Sequence, residues 1–322
     1  MGPAPPDPGG VVKDLLRTAH LSRDDLELLL ELARRFKERP TQHRTELSNQ
    51  TVVLYFNKPS TRTRVSMCTA VARLGGIPLT VGPTELQLGR GESIEDTART
   101  ISRYARAFVI RTYRDEDVAR FAQAATIPVI NALTDQHHPC QSLADLLTLQ
   151  EHCGPIDTLR VAYVGAGNNV CHSLMEGIAL MGGTVAIATP EGYGPDPELL
   201  GEARALAGRH GGVIEVGHDP GAAAAGAHAI YTDVWLSMGD PEEERARRLE
   251  RFAPFQVDDA LMARARPGAR FLHCLPDHPG EEVTAEVVSG PASVVFDQAE
   301  NRLHTAAALL YALLRDRLRG AA

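Results

Sequence analysis

Thr51-Val52-Val53-Leu54-Tyr55-Phe56 runs without a break into Asn57-Lys58-Pro59-Ser60-Thr61-Arg62-Thr63-Arg64. After Thr51 the first run has no polar alternation, the pattern of a strand buried on both faces. Residues 65–74 then read as a helix, and Gly75-Gly76 stop it. Two arginines and three hydroxyls therefore occupy the five residues that join a buried strand to a helix. Ser60 and Thr61 suit the cap region, and the free N–H groups of a helix start favour an anion. Arg62 and Arg64 add donors matched to phosphate. A capped helix with solvated basic residues is the plainer reading of such a cluster taken alone. Its place directly after a buried strand favours phosphate binding.

The same alternation extends outward. Ser22 and Asp25 stand at capping-box spacing before a helix carrying Leu26, Leu29, Leu30 and Ala33, which Pro40 closes. Residues 77–81, 107–110 and 127–130 read as strands, with 94–106 helical between two of them. The pattern restarts with a helix over 143–152. Strands follow at 159–164, 185–188, 213–216, 229–232, 271–273 and 294–296, and a final helix covers 303–318. Alternating β and α runs of this kind predict an α/β protein: two doubly wound domains, each with a mostly parallel sheet flanked by helices. The expected division is residues 1–145, with 300–322 packing back on them, and residues 146–299.

Composition narrows the function classes. The 322 residues are 43% hydrophobic and 23% charged, ordinary for a globular chain, and the formal net charge is −8. That sign argues against nucleic acid or an anionic membrane as partner. Five cysteines without a paired spacing fit free thiols in a reducing compartment. The start shows no signal-peptide pattern, Pro6 breaks the myristoylation pattern, and no apolar run approaches the roughly 20 residues that span a bilayer. A cytoplasmic location is expected.

In open parallel sheets ligands gather beyond the carboxyl ends of the strands. Arg111-Thr112 follow one strand. His137-His138-Pro139-Cys140-Gln141 follow another, with Pro139 suited to a helix start; His138 suits a hydrogen bond to a carbonyl, and His137 reads as a bystander. Cys140 and His138 lack a second ligand pair, so no metal is expected. Gly165-Ala166-Gly167-Asn168-Asn169-Val170 begins like a dinucleotide fingerprint but has Val170 at its sixth position, so a nicotinamide enzyme is the minority reading. The asparagines suit a small polar ligand such as an α-carboxylate. Asp233 could pair with an amine, and Ser237-Met238-Gly239 read as a loop able to close on a ligand. His273-Cys274-Leu275-Pro276 end a strand, and Arg302 stands near the start of the last helix.

Taken together and in order, Ser60–Arg64, Arg111-Thr112, His138–Gln141, Asp233 with Ser237–Gly239, His273–Pro276 and Asn301–Thr305 resemble the successive signatures of the aspartate/ornithine carbamoyltransferase family. The D-x-x-x-S-M-G and H-C-L-P segments are similar to its ornithine branch. The resemblance runs from about Leu15 to Leu314; the chain departs from it at Asn57 and Met67-Cys68, where Glu and Phe-Glu are common. It implies transfer of a carbamoyl group from carbamoyl phosphate to the δ-amine of L-ornithine, giving L-citrulline and phosphate. A different diamine or diamino acid is the alternative acceptor, and a non-catalytic ligand sensor a third class. It also implies a homotrimer or a multiple of trimers, with sites at subunit interfaces and no metal or organic cofactor. Carried over by position, Ser60, Thr61, Arg62, Thr63, Gln87, Arg111, His138, Gln141, Cys274, Leu275 and Arg302 would bind carbamoyl phosphate. Asn169, Asp233, Ser237 and Met238 would bind ornithine. Arg111, His138, Asp233 and Cys274 would carry the chemistry, with Cys274 and Leu275 orienting the amine.

Overall fold

The computed structural model describes residues 11–236 and 242–320. Two compact units divide the chain: one runs to Leu147 and resumes from Glu300, the other is Thr148–Ala299. In the first, β1 (Thr51–Phe56), β2 (Ile77–Val81), β3 (Ala107–Arg111) and β4 (Val129–Leu133) form a parallel sheet in the order β2-β1-β3-β4. Helices α1 (Arg23–Glu38), α2 (Arg62–Arg73), α3 (Ile94–Ile101) and α4 (Asp115–Ala124) lie in the same unit. Its core gathers Val53, Tyr55, Phe108, Phe121 and Val129, with the Phe108 and Phe121 rings stacked at 4.1 Å. Helix α5 (Pro139–Cys153) carries the chain into the second unit.

There β5 (Arg160–Val164), β6 (Thr184–Ala188), β7 (Val213–Gly217), β8 (Ala229–Thr232) and β9 (Arg270–His273) pair in parallel in the order β7-β6-β5-β8-β9. The helices are α6 (Asn169–Leu180), α7 (Pro197–His210), α8 (Pro220–Ala224), α9 (Glu242–Phe252), α10 (Asp259–Met262) and α11 (Ala285–Ser289). α12 (Val295–Leu314) begins in this unit and ends in the first. Near-continuous burial along the central strands β5 and β8 explains why they read as apolar runs without alternation.

Each sheet reverses its strand order once, between β1 and β3 in the first and between β5 and β8 in the second. At such a point neighbouring connections run to opposite faces and leave a crevice beyond the strand ends. The first crevice receives the residues after Phe56 and Arg111, which stand opposite one another in register. The second receives the residues after β5 and β8.

The α1 capping box is present, with Asp25 N donating to Ser22 Oγ and Ser22 N to Asp25 Oδ2, both at 3.0 Å. Three expectations are corrected. The strand expected at 127–130 is Val129–Leu133, because Pro128 has no N–H to give the ladder and only its carbonyl pairs, with Phe108. The strand expected at 294–296 is instead the first turn of α12. Val295 meets the core while Phe296 faces solvent, and Ser293 alone makes a bridge, to Phe271. A three-residue apolar run does not distinguish these outcomes. The last helix is consequently earlier than the expected 303–318.

Candidate active site

The first crevice is built from four separate stretches of the first unit. Thr61 is the cap position of α2, its hydroxyl makes no capping bond, and the first turn holds no acidic residue. The N-terminal N–H groups thus face their surroundings without a side-chain acceptor, and the dipole favours an anion there. Thr63 is buried, and its Oγ1 accepts from Arg302 Nη2 at 2.8 Å. Arg302 Nη1 also donates to Gln141 Oε1. Gln141 in turn donates from Nε2 to Asp145 Oδ1 at 2.8 Å, which fixes its amide oxygen toward the arginine. Arg302 therefore joins α12 to α2 and α5 inside one unit. Arg111, buried at the end of β3, accepts at its carbonyl from Asn57 N at 2.9 Å.

His138 closes the cluster. It is 5% exposed, and its pKa lies well below the ordinary value. Burial is the first cause; the charges of Arg302, Arg111 and Arg62 add to it in that order. The charges of these three guanidiniums make the field at the neutral imidazole positive. A small anion with a polarisable carbonyl fits it: cations neutralise the anion, and His138 offers a hydrogen bond at neutral pH.

The flanking residues have local duties. His137 Nδ1 lies 2.7 Å from Asp115 Oδ1, so it holds the β4–α5 loop. Cys140 Sγ donates to Asn131 O at 3.4 Å, and burial pushes its thiol up to about 12, which removes it as a thiolate ligand or nucleophile. The guanidinium of Arg64 lies over the Phe56 ring at 5.0 Å. Asn57 donates to Thr112 Oγ1 at 3.3 Å, and Cys68 lies 3.5 Å from Thr80 Oγ1, so both departures are absorbed by local contacts. Gln87 stands exposed on a single turn, Gln87–Arg90, away from these hydrogen bonds.

The second crevice centres on Asp233, buried just beyond β8. Oδ1 accepts from Val234 N at 2.8 Å and from Cys274 Sγ at 3.0 Å, and Oδ2 accepts from Asn168 Nδ2 at 2.7 Å. Asn168, expected together with Asn169 to suit a small polar ligand, here orients Asp233. Its Oδ1 caps α6 through Val170 N and Cys171 N and also accepts from Tyr163 OH at 3.1 Å, so the side chain cannot rotate away from Asp233. Its position immediately before a helix and after a strand is the signal that marks it. Asn169 opens α6 and is half-buried. Leu275 adopts φ 59, and its N–H donates to His273 Nδ1 at 2.8 Å. Ser237 and Met238 lie outside the described residues.

The Gly165–Gly167 turn has its own physical cause. A Cβ on Gly167 would stand 2.1 Å from Pro195 N and 2.3 Å from Gly194 C, and Gly165 has φ +142. Chain packing and backbone conformation require these glycines, without a pyrophosphate. Donor atoms of Asp233, His273 and Cys274 lie within 4.8 Å of one another, as do those of His278, Glu281 and Glu282. In the first set Cys274 is satisfied by Asp233, and His273 by Leu275 and Glu282; in the second, Glu281 pairs with Arg245.

Comparison with known proteins finds matches to both halves of the chain. Residues 13–151 match the aspartate/ornithine carbamoyltransferase carbamoyl-P binding domain, and residues 157–313 match the Asp/Orn binding domain of the same family. An ornithine carbamoyltransferase of Symbiobacterium thermophilum is 51% identical over 300 residues, covering 92% of this chain and 96% of that protein. One from Acidothermus cellulolyticus is 49% identical over 304 residues, covering 94% and 97%. Among solved structures, ornithine carbamoyltransferase from Pyrococcus furiosus superposes with TM-score 0.89 at 47% identity, covering 95% of this chain and 97% of that one. Anabolic ornithine carbamoyltransferase from Campylobacter jejuni gives TM-score 0.89 at 35% identity, covering 94% and 99%.

Proposed function

The chain belongs to the aspartate/ornithine carbamoyltransferase family, and from that premise we propose how its two units divide the reaction. The enzyme transfers the carbamoyl group of carbamoyl phosphate to the δ-amine of L-ornithine, giving L-citrulline and phosphate. In our reading residues 1–145 with 300–322 hold the donor and residues 146–299 hold the acceptor. The observation that carries the donor half is the burial of Arg111, His138 and Arg302, with Arg302 held by Thr63 at the start of α2 and by Gln141 on α5. The first turn of α2, Ser60 to Thr63, with Arg111 and Arg302, takes the phosphate. Arg111, His138 and Thr63 face the carbamoyl oxygen. Gln141 orients Arg302, and Gln87, exposed on its own turn, meets the donor from outside this cluster.

Attack by the amine places negative charge on that oxygen. Fixed cationic and N–H donors stabilise the charge without reorganising, and loss of one costs on the order of 10²–10³ in rate. The attacking amine must be neutral, although a free alkyl ammonium has a pKa of about 10.4. Asp233 binds the α-amino group, with Asn169, Ser237 and Met238 completing the acceptor site, while Cys274 and Leu275 orient the side-chain amine. Holding both reactants in place supplies much of the remaining rate.

We take the assembly to be a homotrimer or a multiple of trimers. What supports an association face is the edge strand β2, where Ile77 and Leu79 are 56% and 49% exposed, beside α2 with Val65 at 59%. We also read the location as cytoplasmic: the five cysteines are all free, and no helix among the described residues is long and apolar enough to cross a membrane.

The deciding experiment incubates the protein with carbamoyl phosphate and a panel of ornithine, lysine, putrescine, N-acetylornithine and shorter diamino acids. Citrulline from ornithine, with little product from the others, is the expected result. Ureido product from another amine and none from ornithine would reject the acceptor while keeping carbamoyl transfer.

A further inference from the structure

The loop that carries Cys274 is tied at both ends to one carboxylate oxygen. His273 ends β9 fully buried, and its Nδ1 accepts the Leu275 N–H at 2.8 Å. A ring nitrogen that accepts carries no proton, so Nε2 holds it and donates to Glu282 Oε1 at 3.1 Å. The same Oε1 accepts the His278 N–H at 2.6 Å. Glu282 is itself 0% exposed, and its backbone carbonyl accepts from Val257 N at 2.9 Å. Gln298 holds the other side of the histidine, accepting from His273 N at 3.0 Å and donating to Tyr231 OH at 3.1 Å. Burying a carboxylate is costly, and packing alone does not call for one. Here it closes a turn in which Leu275 sits at φ 59, a left-handed conformation unfavourable for a non-glycine residue. Cys274 lies inside that turn with Sγ on Asp233 Oδ1.

We infer that Glu282 is a positioning residue for the acceptor. By setting the tautomer and ring orientation of His273 and pinning His278, it fixes residues 274–277 and hence the contact between Cys274 and Asp233. It touches no substrate. The inference rests on the reading of Asp233 and Cys274 as acceptor-binding groups. Displacements of about 1 Å in such a contact cost on the order of 10²-fold in rate.

The test uses the full chain carrying Glu282→Ala, Glu282→Gln or Glu282→Asp. Three quantities are measured: kcat/KM for ornithine, carbamoyl phosphate affinity by calorimetry, and the iodoacetamide alkylation rate of Cys274 by peptide mass spectrometry. Glu282→Ala is expected to lose on the order of 10²-fold in kcat/KM for ornithine. It should keep the parent carbamoyl phosphate affinity and alkylate faster at Cys274. Glu282→Gln, whose amide oxygen accepts the same two bonds, should restore most of both readouts. Glu282→Asp, one methylene too short to reach both donors, should not. Parent-like ornithine kinetics and alkylation in folded Glu282→Ala would overturn the inference, as would an equal loss of carbamoyl phosphate affinity. If the alanine variant does not fold, the Gln and Asp variants decide: Gln near parent with Asp impaired supports positioning, and equal impairment overturns it. Should the parent protein itself make no citrulline, the functional reading fails separately, and the alkylation comparison still judges the role of Glu282.

Discussion

Arg302 shows how far a residue's role can lie from its sequence neighbourhood. Near the start of a helix it is an ordinary charge; in the fold it donates to Thr63, 239 positions away, and to Gln141, 161 away. No spacing rule connects these positions, whereas the strand-to-helix segment at Ser60–Arg64 was legible because its donors are contiguous. Arg302→Ala removes the largest of the three cationic influences on His138. The His138 pKa should therefore rise toward its ordinary value, while burial still holds it below. Carbamoyl phosphate should bind roughly 10- to 100-fold more weakly, matching the loss of a charge-assisted hydrogen bond of about 1.5–3 kcal/mol. An NMR titration of the His138 ring and calorimetry on the same variant check both. An unchanged His138 titration would remove Arg302 from the cluster.

At the scale of elements, most strands were readable because a doubly wound sheet buries its central strands on both faces, and that burial writes continuous apolar runs. Junctions were harder to read. Val294-Val295-Phe296 has strand chemistry yet starts α12, since the helix can turn Val295 inward as well as a strand could. The GxG turn likewise has two causes with one appearance. Its glycine at 167 is demanded by Pro195 and Gly194, so Gly167→Ala should lower the stability of the second unit by about 1–3 kcal/mol. Gly201 sits within α7, where an added Cβ would meet nothing within 4 Å, and its φ is not left-handed. Gly201→Ala should therefore raise stability by about 0.5–1 kcal/mol. Trp235 is the only tryptophan and lies in this unit, so its fluorescence in urea reports both midpoints. Equal shifts of one sign would contradict the assignment.

For the whole molecule the acid response includes groups of opposite sign. His138 stays neutral in the fold, while in the unfolded chain it titrates near 6.5. As pH falls below that value only the unfolded state gains the proton, so stability declines. Asp115 adds to the loss at lower pH: burial alone would raise its carboxyl, but the hydrogen bond and attraction to His137, with the Thr134 and Gln136 donors, hold it low. Asp14 opposes it. Its carboxyl is pushed up to about 6 by burial, against the attraction of Lys13 and the Val129 N–H it accepts at 2.8 Å. The unfolded value is about 3.9, so the contribution of protonated Asp14 is complete below that and is lost as pH rises through 6. Between about 4 and 6 the two slopes partly cancel. Asp14→Asn keeps an acceptor for Val129 and removes the buried charge. It should stabilise the protein at pH 8 by up to about 3 kcal/mol, the equivalent of a two-unit shift, less whatever the lost attraction to Lys13 subtracts. At pH 4 the variant and parent should unfold together. Between these limits the variant's stability should climb more steeply with pH, because the His138 slope then runs unopposed. Urea midpoints at pH 4, 6 and 8 decide the matter: an offset independent of pH would mean that Asp14 acts through packing and not through its charge.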